Sequence, residues 1–579
     1  MIPVMLSPYV RLIENRLIPP AIHYGIFHQL SGEVFDLDEA TSSLLANLKA
    51  TGRIWITVEE LKGRQDPASI RIKKLIAREF LISEGCDPLV LFADQLVVRP
   101  IQNPAVGWHA PDGTVAVVRT SMSRQTFSPQ RDELPEIIEE VLPRIAGELF
   151  LQADGNKTLR DIFAALGLSD DLFRSKEFRA AINFLTHPDR QLIKFTSRGE
   201  DLDNPFSPCN IVPRNLHRSR ASNASIAGEP PSIAEFHLHG IPDASWEFDL
   251  IEPTINHAFR FPSDVLEGFD YGTRFCSSAL RSEVLPGLNE TDRLEVLEVG
   301  GGTGTFARAF TKQAGSMTKA AVGYHILELS PALVQAQKEA LSGHFPVTHF
   351  QQDATEFQLP GYKFDLIIAN EVIADFSTAQ VRRVPNPGSE EASSGAQWEG
   401  EGAADVQKYQ LMVDDAPDKF LVNSGVFRFI ERAWEHLAPG GTAIISEYGK
   451  HEGKLAYPIQ EYQLNHEEFS IHFGHVETCA RKVGFNSRLV SLKDFLKAND
   501  QVLMLNGREE HIRCLDRVLQ QLGLTLPYAA ISQREFEEKF GEVIERLGIV
   551  GITFSPLSTG YHYGPDWNDF LVLILQRPL

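Results

Sequence analysis

The sequence feature that most restricts the fold of this chain is a set of short apolar runs in its second half. Four of them end in glycine or acidic residues and are separated by segments with helical patterns: LEVLEVGG (294–301), GYHILEL (323–329), FDLIIANE (364–371) and GTAIISEYG (441–449). LVLIL (571–575) predicts one further, late strand. Such runs are typical of strands that are buried on both faces in a parallel sheet. The pattern therefore predicts an α/β fold, a doubly wound Rossmann-like domain over residues 233–579.

A glycine-rich turn directly follows the first run. Gly300, Gly302 and Gly304 stand between a predicted strand and the start of a predicted helix. Glycines permit a tight turn and let a ligand lie against the backbone, in the crevice where such sheets bind their ligands. The spacing also suits dinucleotides, so the loop alone does not identify the ligand. Glu328, 24 residues past Gly304, can accept hydrogen bonds from both ribose hydroxyls in either kind of site.

Polar residues at the other strand ends favour S-adenosylmethionine (SAM) over a dinucleotide. Asp353 follows a third short strand, where it can meet an adenine, and Asn370 and Glu371 end the fourth. The charge of Glu298, just before the glycines, attracts the positively charged methionine end of SAM and would repel a pyrophosphate. We therefore predict SAM as the cofactor. The predicted cofactor-binding residues are Glu298, Gly300, Gly302, Gly304, Glu328, Asp353 and Asn370.

The motifs of this half resemble, in their order, those of the MidA family of methyltransferases. They are VLEVGGGTGTFA, YHILELSPALVQAQKEAL, FDLIIANEVIADF, ISEYG and FGHVETCARKVGF, and the likeness covers most of residues 250–500. The resemblance implies a class I, SAM-dependent protein methyltransferase, since the family includes an enzyme that dimethylates a protein arginine. One departure concerns the family pattern Asn-Glu-x-x-Asp-Ala. Here the second acid, Asp375, is displaced by one position, so the family's target need not carry over.

The expected chemistry is methyl transfer to a nitrogen. A guanidinium acceptor needs nearby carboxylates that orient it and take up its proton. Glu371 and Asp375 are the first catalytic candidates, and Glu447 and Tyr448 are the next, where the family's Asp-Tyr-Gly becomes Glu447-Tyr448-Gly449. No metal site is predicted. For His472 and His475, three residues apart, polar packing is favoured over a role in the substrate pocket or in metal binding.

The first 213 residues predict two further domains. In the first of them, residues 1–100, the segment 20–95 resembles the PqqD-like peptide-recognition fold, with two strands within 24–37 followed by helices at 38–52, 57–63 and 68–84. A plain winged-helix unit is the alternative. Residues 101–213 predict a second winged-helix-like helical domain, with a helix capped by Thr158 that ends at Gly167. A linker over 214–232 then leads to the catalytic domain, which contains a flexible insertion at 384–405. We expect the catalytic domain to fold without residues 1–213.

The composition of the chain limits the classes of binding partner that we expect. The formal net charge of −22 argues against nucleic acid, and no apolar run approaches 18 residues, so no membrane is expected. Five scattered cysteines predict a reducing, cytoplasmic location without disulfides. The predicted function is methylation of a protein or peptide side chain, at arginine or another nitrogen, in a setting such as peptide natural-product maturation; a homodimer is left open. The alternatives are a non-catalytic SAM-binding assembly factor or chaperone, and a small-molecule methyltransferase.

Overall fold

The structure, a computed structural model, describes part of the chain. The described residues are 4–6, 10–15, 23–28, 34–37, 69–70, 72–73, 75, 81–83, 88–91, 93–94, 96–100, 105–110, 112–120, 137–187, 190, 192–197, 237–238, 254–287, 293–384, 397–462, 467–507, 509–558, 562–564 and 567–579. They form two compact units. The first unit is drawn from 1–223, 506–527 and 536–553, and the second from 224–505, 528–535 and 554–579.

The elements before residue 200 are mostly short strands. The strands are β1 (Val4–Leu6), β2 (Val10–Asn15), β3 (His23–His28), β4 (Val34–Leu37), β5 (Leu81–Ser83), β6 (Leu96–Pro100), β7 (Ala105–His109), β8 (Val115–Thr120), β9 (Ile137–Leu142) and β10 (Ile193–Ser197). The helices are α1 (Pro88–Leu91), α2 (Arg144–Gln152), α3 (Leu159–Ala165) and α4 (Lys176–Leu185).

Longer helices and strands alternate after residue 250. The strands are β11 (Arg293–Val299), β12 (Ala321–Glu328), β13 (Val347–Gln351), β14 (Phe364–Asn370), β15 (Ala379–Val384), β16 (Gln397–Glu399), β17 (Lys419–Val422), β18 (Leu437–Lys450), β19 (Gln460–Tyr462), β20 (Glu467–Phe469), β21 (Ile471–His472), β22 (Asn486–Ser491), β23 (Leu503–Leu505), β24 (Phe554–Pro556) and β25 (Phe570–Gln576). The helices are α5 (Ile255–Ala258), α6 (Tyr271–Ala279), α7 (Thr305–Met317), α8 (Pro331–Leu341), α9 (Ala403–Tyr409), α10 (Ser424–His436), α11 (Phe473–Val483), α12 (Leu492–Leu496), α13 (Glu509–Gln520) and α14 (Gln533–Leu547).

The first unit contains small antiparallel sheets, β2-β3-β4 and β7-β8-β9, and a helical core. The predicted strands within 24–37 are present as β3 and β4, paired from Tyr24↔Leu37 to Phe27↔Val34. The helices predicted at 38–52 and 57–63 lie outside the described residues, as does the predicted linker at 214–232. The helix predicted at 68–84 extends too far, because Leu81–Ser83 form β5 and pair with β1. The PqqD-like fold therefore stays a prediction.

Residues 101–213 contain the helix that was predicted from its cap. Thr158 begins α3: its hydroxyl accepts the N–H of Asp161 at 3.1 Å, and the Asp161 carboxylate accepts the N–H of Thr158 at 3.0 Å. This reciprocal pair satisfies two backbone donors at the start of the helix. Behind it, the stacked rings of Phe163 and Phe173, 3.9 Å apart, belong to the apolar core of α2–α4.

Two boundaries in the structure differ from the sequence-based ones. No break occurs at residue 100, because β6 pairs with β10 across it, from Pro100↔Ile193 to Leu96↔Ser197. Residues 506–527 and 536–553 join the first unit, where α13 packs on β7 and β8 and buries Ile512, Leu515 and Leu519. A cut at residue 213 would uncover that apolar face, so the shortened chain is expected to be poorly soluble rather than independently folded.

The second unit is built on one large sheet, in the order β13-β12-β11-β14-β18-β25-β22, with β21 beside the end of β18. The strands from β13 to β18 are parallel, as predicted. The predicted late strand, β25, runs antiparallel between β18 and β22. The sheet is therefore mixed rather than wholly parallel, because a short apolar run does not reveal the direction in which its strand will pair.

Helices cover both faces of this sheet. On one face, Phe427 and Ile430 of α10 and Cys479 of α11 share a core with Ile367 and Ala443 of the sheet. On the other, aromatic rings link α6 to α7 (Phe275–Phe306, 5.3 Å) and α7 to β12 (Phe310–Tyr324, 5.7 Å). Since the chain leaves β11 towards β12 and later returns to β14 on the other side of β11, a crevice opens at the carboxyl ends of these strands.

Part of the insertion that the sequence predicted to be flexible, at 384–405, is folded. Trp398 lies in β16, which pairs with β15, and its ring packs edge-on against Phe420 at 5.2 Å. Residues 403–405 begin α9. One large aromatic side chain in a polar stretch is enough to anchor this part, and only 385–396 lie outside the described residues. None of the helices in the described ranges has the length and apolar character needed to cross a membrane.

Candidate active site

A cleft of about 440 Å³ lies at the carboxyl ends of β11, β12 and β14 in the second unit. Its walls come from the glycine loop, the ends of the three strands, the turn after β13 and residues 370–378. The predicted cofactor residues that line it are Glu298, Gly300, Gly302, Glu328, Asp353 and Asn370. Gly304 stands beside it as the residue before α7, with φ of +84°.

The glycine loop needs its glycines for two reasons. Gly300, with φ of +68°, lies so close to Val372 that a Cβ atom would come within 2.5 Å of the valine Cγ2. Gly302, with φ of +50°, has no atom within 4 Å of such a Cβ, because it borders the open cleft. Gly300 therefore permits close packing between the two strand ends, and Gly302 leaves room for a ligand.

Glu298 is buried at the base of the cleft. Its Oε2 accepts a hydrogen bond from the hydroxyl of Tyr324 at 3.0 Å, and the residue is 3 % exposed. Burial raises the pKa of Glu298 to about 8, a rise to which the nearby Glu328 adds. The carboxyl group is therefore largely protonated at neutral pH, and a positive charge in the cleft would favour its ionised form.

Glu328 is tied to the glycine loop by Gln337, a residue that the sequence analysis missed. The Gln337 amide donates to Glu328 Oε2 at 3.1 Å and to the carbonyl of Gly302 at 2.9 Å, while the N–H of Ser330 donates to Glu328 Oε1 at 2.9 Å. Burial raises the pKa of Glu328. A signal was present in the sequence, since Gln337 falls on the apolar face of α8 with Leu333.

Asp353 orders the turn after β13. Its Oδ1 accepts hydrogen bonds from the N–H and the hydroxyl of Thr355, at 2.7 and 2.8 Å. Both residues line the cleft. The fit to a SAM-sized ligand rests on this wall together with Gly302, which borders the open space of the cleft.

Asn370 and Glu371 belong to one hydrogen-bonded chain. The hydroxyl of Tyr271 donates to Asn370 Oδ1 at 2.6 Å, and the Asn370 amide donates to Glu371 Oε1 at 3.3 Å. Glu371 also accepts the N–H groups of Ile255, at 2.8 Å, and Asn256, at 3.2 Å. Burial raises the pKa of Glu371 to about 7, against the lowering effect of these N–H groups.

The backbone at Glu371 is strained, with φ of +52° in a residue other than glycine. This conformation turns the chain sharply after β14 and directs the Glu371 carboxylate to the segment at 254–256. Strain of this kind costs of order 1–3 kcal/mol and is often found at functional sites. Neither Tyr271 nor the 254–256 segment was singled out in the sequence, because both contacts depend on distant parts of the chain.

Asp375 ends a 3-10 turn at Ile373–Asp375 and faces a histidine that the sequence analysis did not identify. Its Oδ2 lies 3.1 Å from Nε2 of His237, and the side chains are 14 % and 15 % exposed respectively. Both residues line the cleft. Since 138 positions separate them, no local pattern could have revealed the pair.

Comparisons with known proteins agree with this site. Residues 282–467 match the model of a family described as "Putative S-adenosyl-L-methionine-dependent methyltransferase". The chain is a SAM-dependent methyltransferase. Its cofactor is SAM, and its second unit has a methyltransferase-like α/β fold with a mixed central sheet.

Similar solved structures are distant. A methyl transferase candidate from Burkholderia thailandensis, bound to S-adenosyl-homocysteine, is 15% identical with a TM-score of 0.31, covering 63% of this chain and 91% of that one. A phosphoethanolamine N-methyltransferase from Haemonchus contortus is 15% identical with a TM-score of 0.27, covering 53% and 52%. The [4+2]-cyclase SpnF is 13% identical with a TM-score of 0.30, covering 60% and 98%. Identities and TM-scores this low do not indicate which substrate this methyltransferase uses. No curated protein matches the chain.

Two predicted catalytic residues of the methyltransferase, Glu447 and Tyr448, do not line the cleft. The strand β18 continues past them to Lys450, so Glu447 lies inside a strand and not at its end. Its carboxyl group is buried and accepts the N–H groups of Tyr448, at 2.9 Å, and Ala374, at 3.2 Å. Burial raises the pKa of Glu447 well above its usual value.

His472 and His475 pack on each other, with parallel rings 3.6 Å apart. His472 Nδ1 accepts the N–H of His475 at 3.3 Å, and burial lowers the pKa of His472 to about 3. The contacts are those of polar packing, the interpretation favoured from the sequence. Within the described ranges, no group of three His, Cys, Asp or Glu side chains is arranged to hold a metal ion.

Proposed function

We propose that this methyltransferase acts on a nitrogen of a protein or peptide side chain, with arginine as the first candidate. The observation that supports this most is the charge of the cleft. Five acidic side chains line it, and no lysine or arginine is among its lining residues in the described part of the chain: the acids are Glu298, Glu328, Asp353, Glu371 and Asp375. A positive charge in the cleft favours the ionised form of these carboxyl groups, including Glu298 and Glu371 with their raised pKa values, so the wall suits a cationic acceptor and disfavours a phosphate-bearing one.

The positions of Glu371 and Asp375 support the same proposal. Both follow β14 and line the cleft beside the glycine loop, where the methyl donor is expected. When bound, SAM supplies a methyl group on a positively charged sulfur. The residues of this chain then have to orient the acceptor nitrogen, exclude water and take up a proton. The resemblance to the MidA family, and that of residues 20–95 to PqqD-like peptide-binding domains, favour a peptide as substrate.

The proposal is tested with the full-length chain and SAM labelled on its methyl group. The acceptors are synthetic peptides of one background that contain a single arginine, lysine, histidine or citrulline. Citrulline is the matched control, because it has nearly the shape of arginine without the positive charge. We expect label on the arginine peptide, a mass increase of one methylene group at that residue, and none on the citrulline peptide.

Equal labelling of the arginine and citrulline peptides would contradict a charge-selected acceptor. If no peptide is labelled while calorimetry shows tight binding of S-adenosylhomocysteine, the alternative of a SAM-binding assembly factor is favoured instead.

A further inference from the structure

We infer that His237 is the proton acceptor in methyl transfer and that Asp375 holds its imidazole ring in place. The inference rests on the proposed function, since it needs a nitrogen acceptor that releases a proton. It assigns a catalytic role to a residue outside the sequence motifs of the site. It also explains the presence of Asp375, which is displaced by one position from the acid of the family pattern.

The geometry is that of an oriented base. His237 Nε2 lies 3.1 Å from Asp375 Oδ2, within hydrogen-bond distance, and both side chains are mostly buried yet line the same cleft. An N–H donated from Nε2 to the carboxylate fixes the tautomer in which Nδ1 has the lone pair. A carboxylate beside an imidazole also stabilises the imidazolium that forms when the ring takes a proton.

The surroundings favour that imidazolium further. Glu328, at the end of β12, interacts electrostatically with His237, and this interaction works to lower the pKa of the glutamate. The other titratable groups on the cleft wall are Glu298 before the glycine loop, Asp353 after β13, Glu371 after β14 and His257 of α5. The four carboxyl groups add no positive charge that would oppose proton uptake.

Glu371, the other candidate base, holds a backbone segment in place. Its two oxygens accept the N–H groups of Ile255 and Asn256, and Oε1 also faces the Asn370 amide. A proton on this carboxylate would weaken the hydrogen bonds that fix the 254–256 segment. Glu371 is therefore better described as a positioning residue, and His237 as the group that receives the proton.

The acceptor is a guanidinium with one positive charge. One of its N–H nitrogens forms a bond to the methyl carbon, and the carbon–sulfur bond breaks with its electron pair moving to sulfur. As the new bond forms, that nitrogen gives a proton to Nδ1 of His237. The products are S-adenosylhomocysteine, a methylated guanidinium with one positive charge, and an imidazolium paired with the Asp375 carboxylate. Water later removes the proton.

The test is chemical rescue. In His237→Ala we expect kcat on the labelled arginine peptide to fall about 10²-fold, the usual scale for a lost base, while S-adenosylhomocysteine affinity stays within about threefold. Added imidazole should restore at least about tenfold of the loss. The control is His344→Ala, which removes an exposed histidine that does not line the cleft and should leave kcat and its response to imidazole unchanged.

His237→Gln is the second variant, since an amide can still donate to Asp375 but cannot take up a proton. It should be as slow as His237→Ala while binding S-adenosylhomocysteine like the parent. The inference is overturned if His237→Gln keeps the parent kcat, or if imidazole restores nothing in a His237→Ala protein that still binds S-adenosylhomocysteine. A parent enzyme that labels no peptide would overturn the proposed function as well, which distinguishes the two failures.

Discussion

Two neighbouring strands of the sheet, β14 and β18, each have an acidic residue near or just beyond the carboxyl end, and the two acids lie in different surroundings. At β14 the strand stops at Asn370, and Glu371 turns with φ of +52° to line the cleft. At β18 the strand continues through Glu447 to Lys450. Both acids were predicted to be catalytic, and only the first of them lines the cleft.

The difference is set by the neighbouring strands. β18 pairs with β25 up to Tyr448↔Phe570, and Gly449 pairs with Ile471 of β21, so backbone hydrogen bonds keep β18 extended past Glu447. β14 pairs with β11 only as far as Ala369 and with β18 as far as Asn370. A strand ends where its partners end, and the burial of Glu447 inside β18 favours its protonated form.

The largest expected effect tests whether the cleft beside β14 holds the cofactor. Gly302→Val should abolish measurable SAM binding, by at least about 100-fold, because the side chain enters the open space of the cleft and φ of +50° strains any branched residue. Calorimetric titration checks this. Gly315→Ala is the control, since a Cβ there also meets no atom within 4 Å but lies on α7 outside the cleft wall. Unchanged affinity in Gly302→Val would place the cofactor elsewhere.

A second test concerns the acids after β14. Glu371→Gln and Asp375→Asn should each lower kcat by about 10²-fold while the affinity for S-adenosylhomocysteine changes only a few-fold. Glu371→Gln acts through lost acceptors for the 254–256 segment, and Asp375→Asn acts through the orientation of His237. Rates of label transfer to the arginine peptide give the answer. If both variants turn over like the parent, the acids after β14 are no more important for catalysis than Glu447 in β18.

A third test uses the buried acid before the glycine loop. Because the pKa of Glu298 is raised to about 8, the carboxyl group is mostly protonated below that pH, and binding of the positively charged SAM should release its proton. Affinity for SAM should therefore rise with pH, by about 25-fold between pH 6.5 and 8.5, and level off above about pH 9. Calorimetry in buffers of different ionisation enthalpy measures the released proton. In Glu298→Gln the affinity for SAM should no longer rise with pH. An affinity that does not change with pH in the parent would rule out an interaction between the Glu298 carboxylate and the charged end of SAM.

The smallest effect on catalysis is expected at β18. Glu447→Gln should change kcat by less than about threefold, because the residue does not line the cleft. The substitution should lower the free energy of unfolding by about 1 kcal/mol. The two oxygens of Glu447 accept two backbone N–H groups, and the glutamine side chain has only one oxygen to replace them. Denaturant unfolding and transfer rates are compared in the same preparation. A 10²-fold loss of kcat with unchanged stability would return Glu447 to the catalytic group.

Much of the second unit was predictable because its signals are local. Apolar runs located β11, β12, β14, β18 and β25, and the glycine spacing located the loop at the cleft. A buried parallel strand needs apolar residues along most of its length, and a tight turn against a ligand needs residues without a Cβ atom. Both requirements are met within a few positions of one another in the chain.

The sequence by itself therefore determined the class of fold, the cofactor and the edge of the sheet at which the cleft lies. Only the tertiary structure decided that β25 runs antiparallel, that β18 extends past Glu447, that α13 belongs to the first unit and that His237 faces Asp375. Each of these depends on which distant segments pair or pack. Hydrophobic patterning predicts that a segment will be buried. It does not predict which segment will pack against it, because the hydrophobic effect is non-directional.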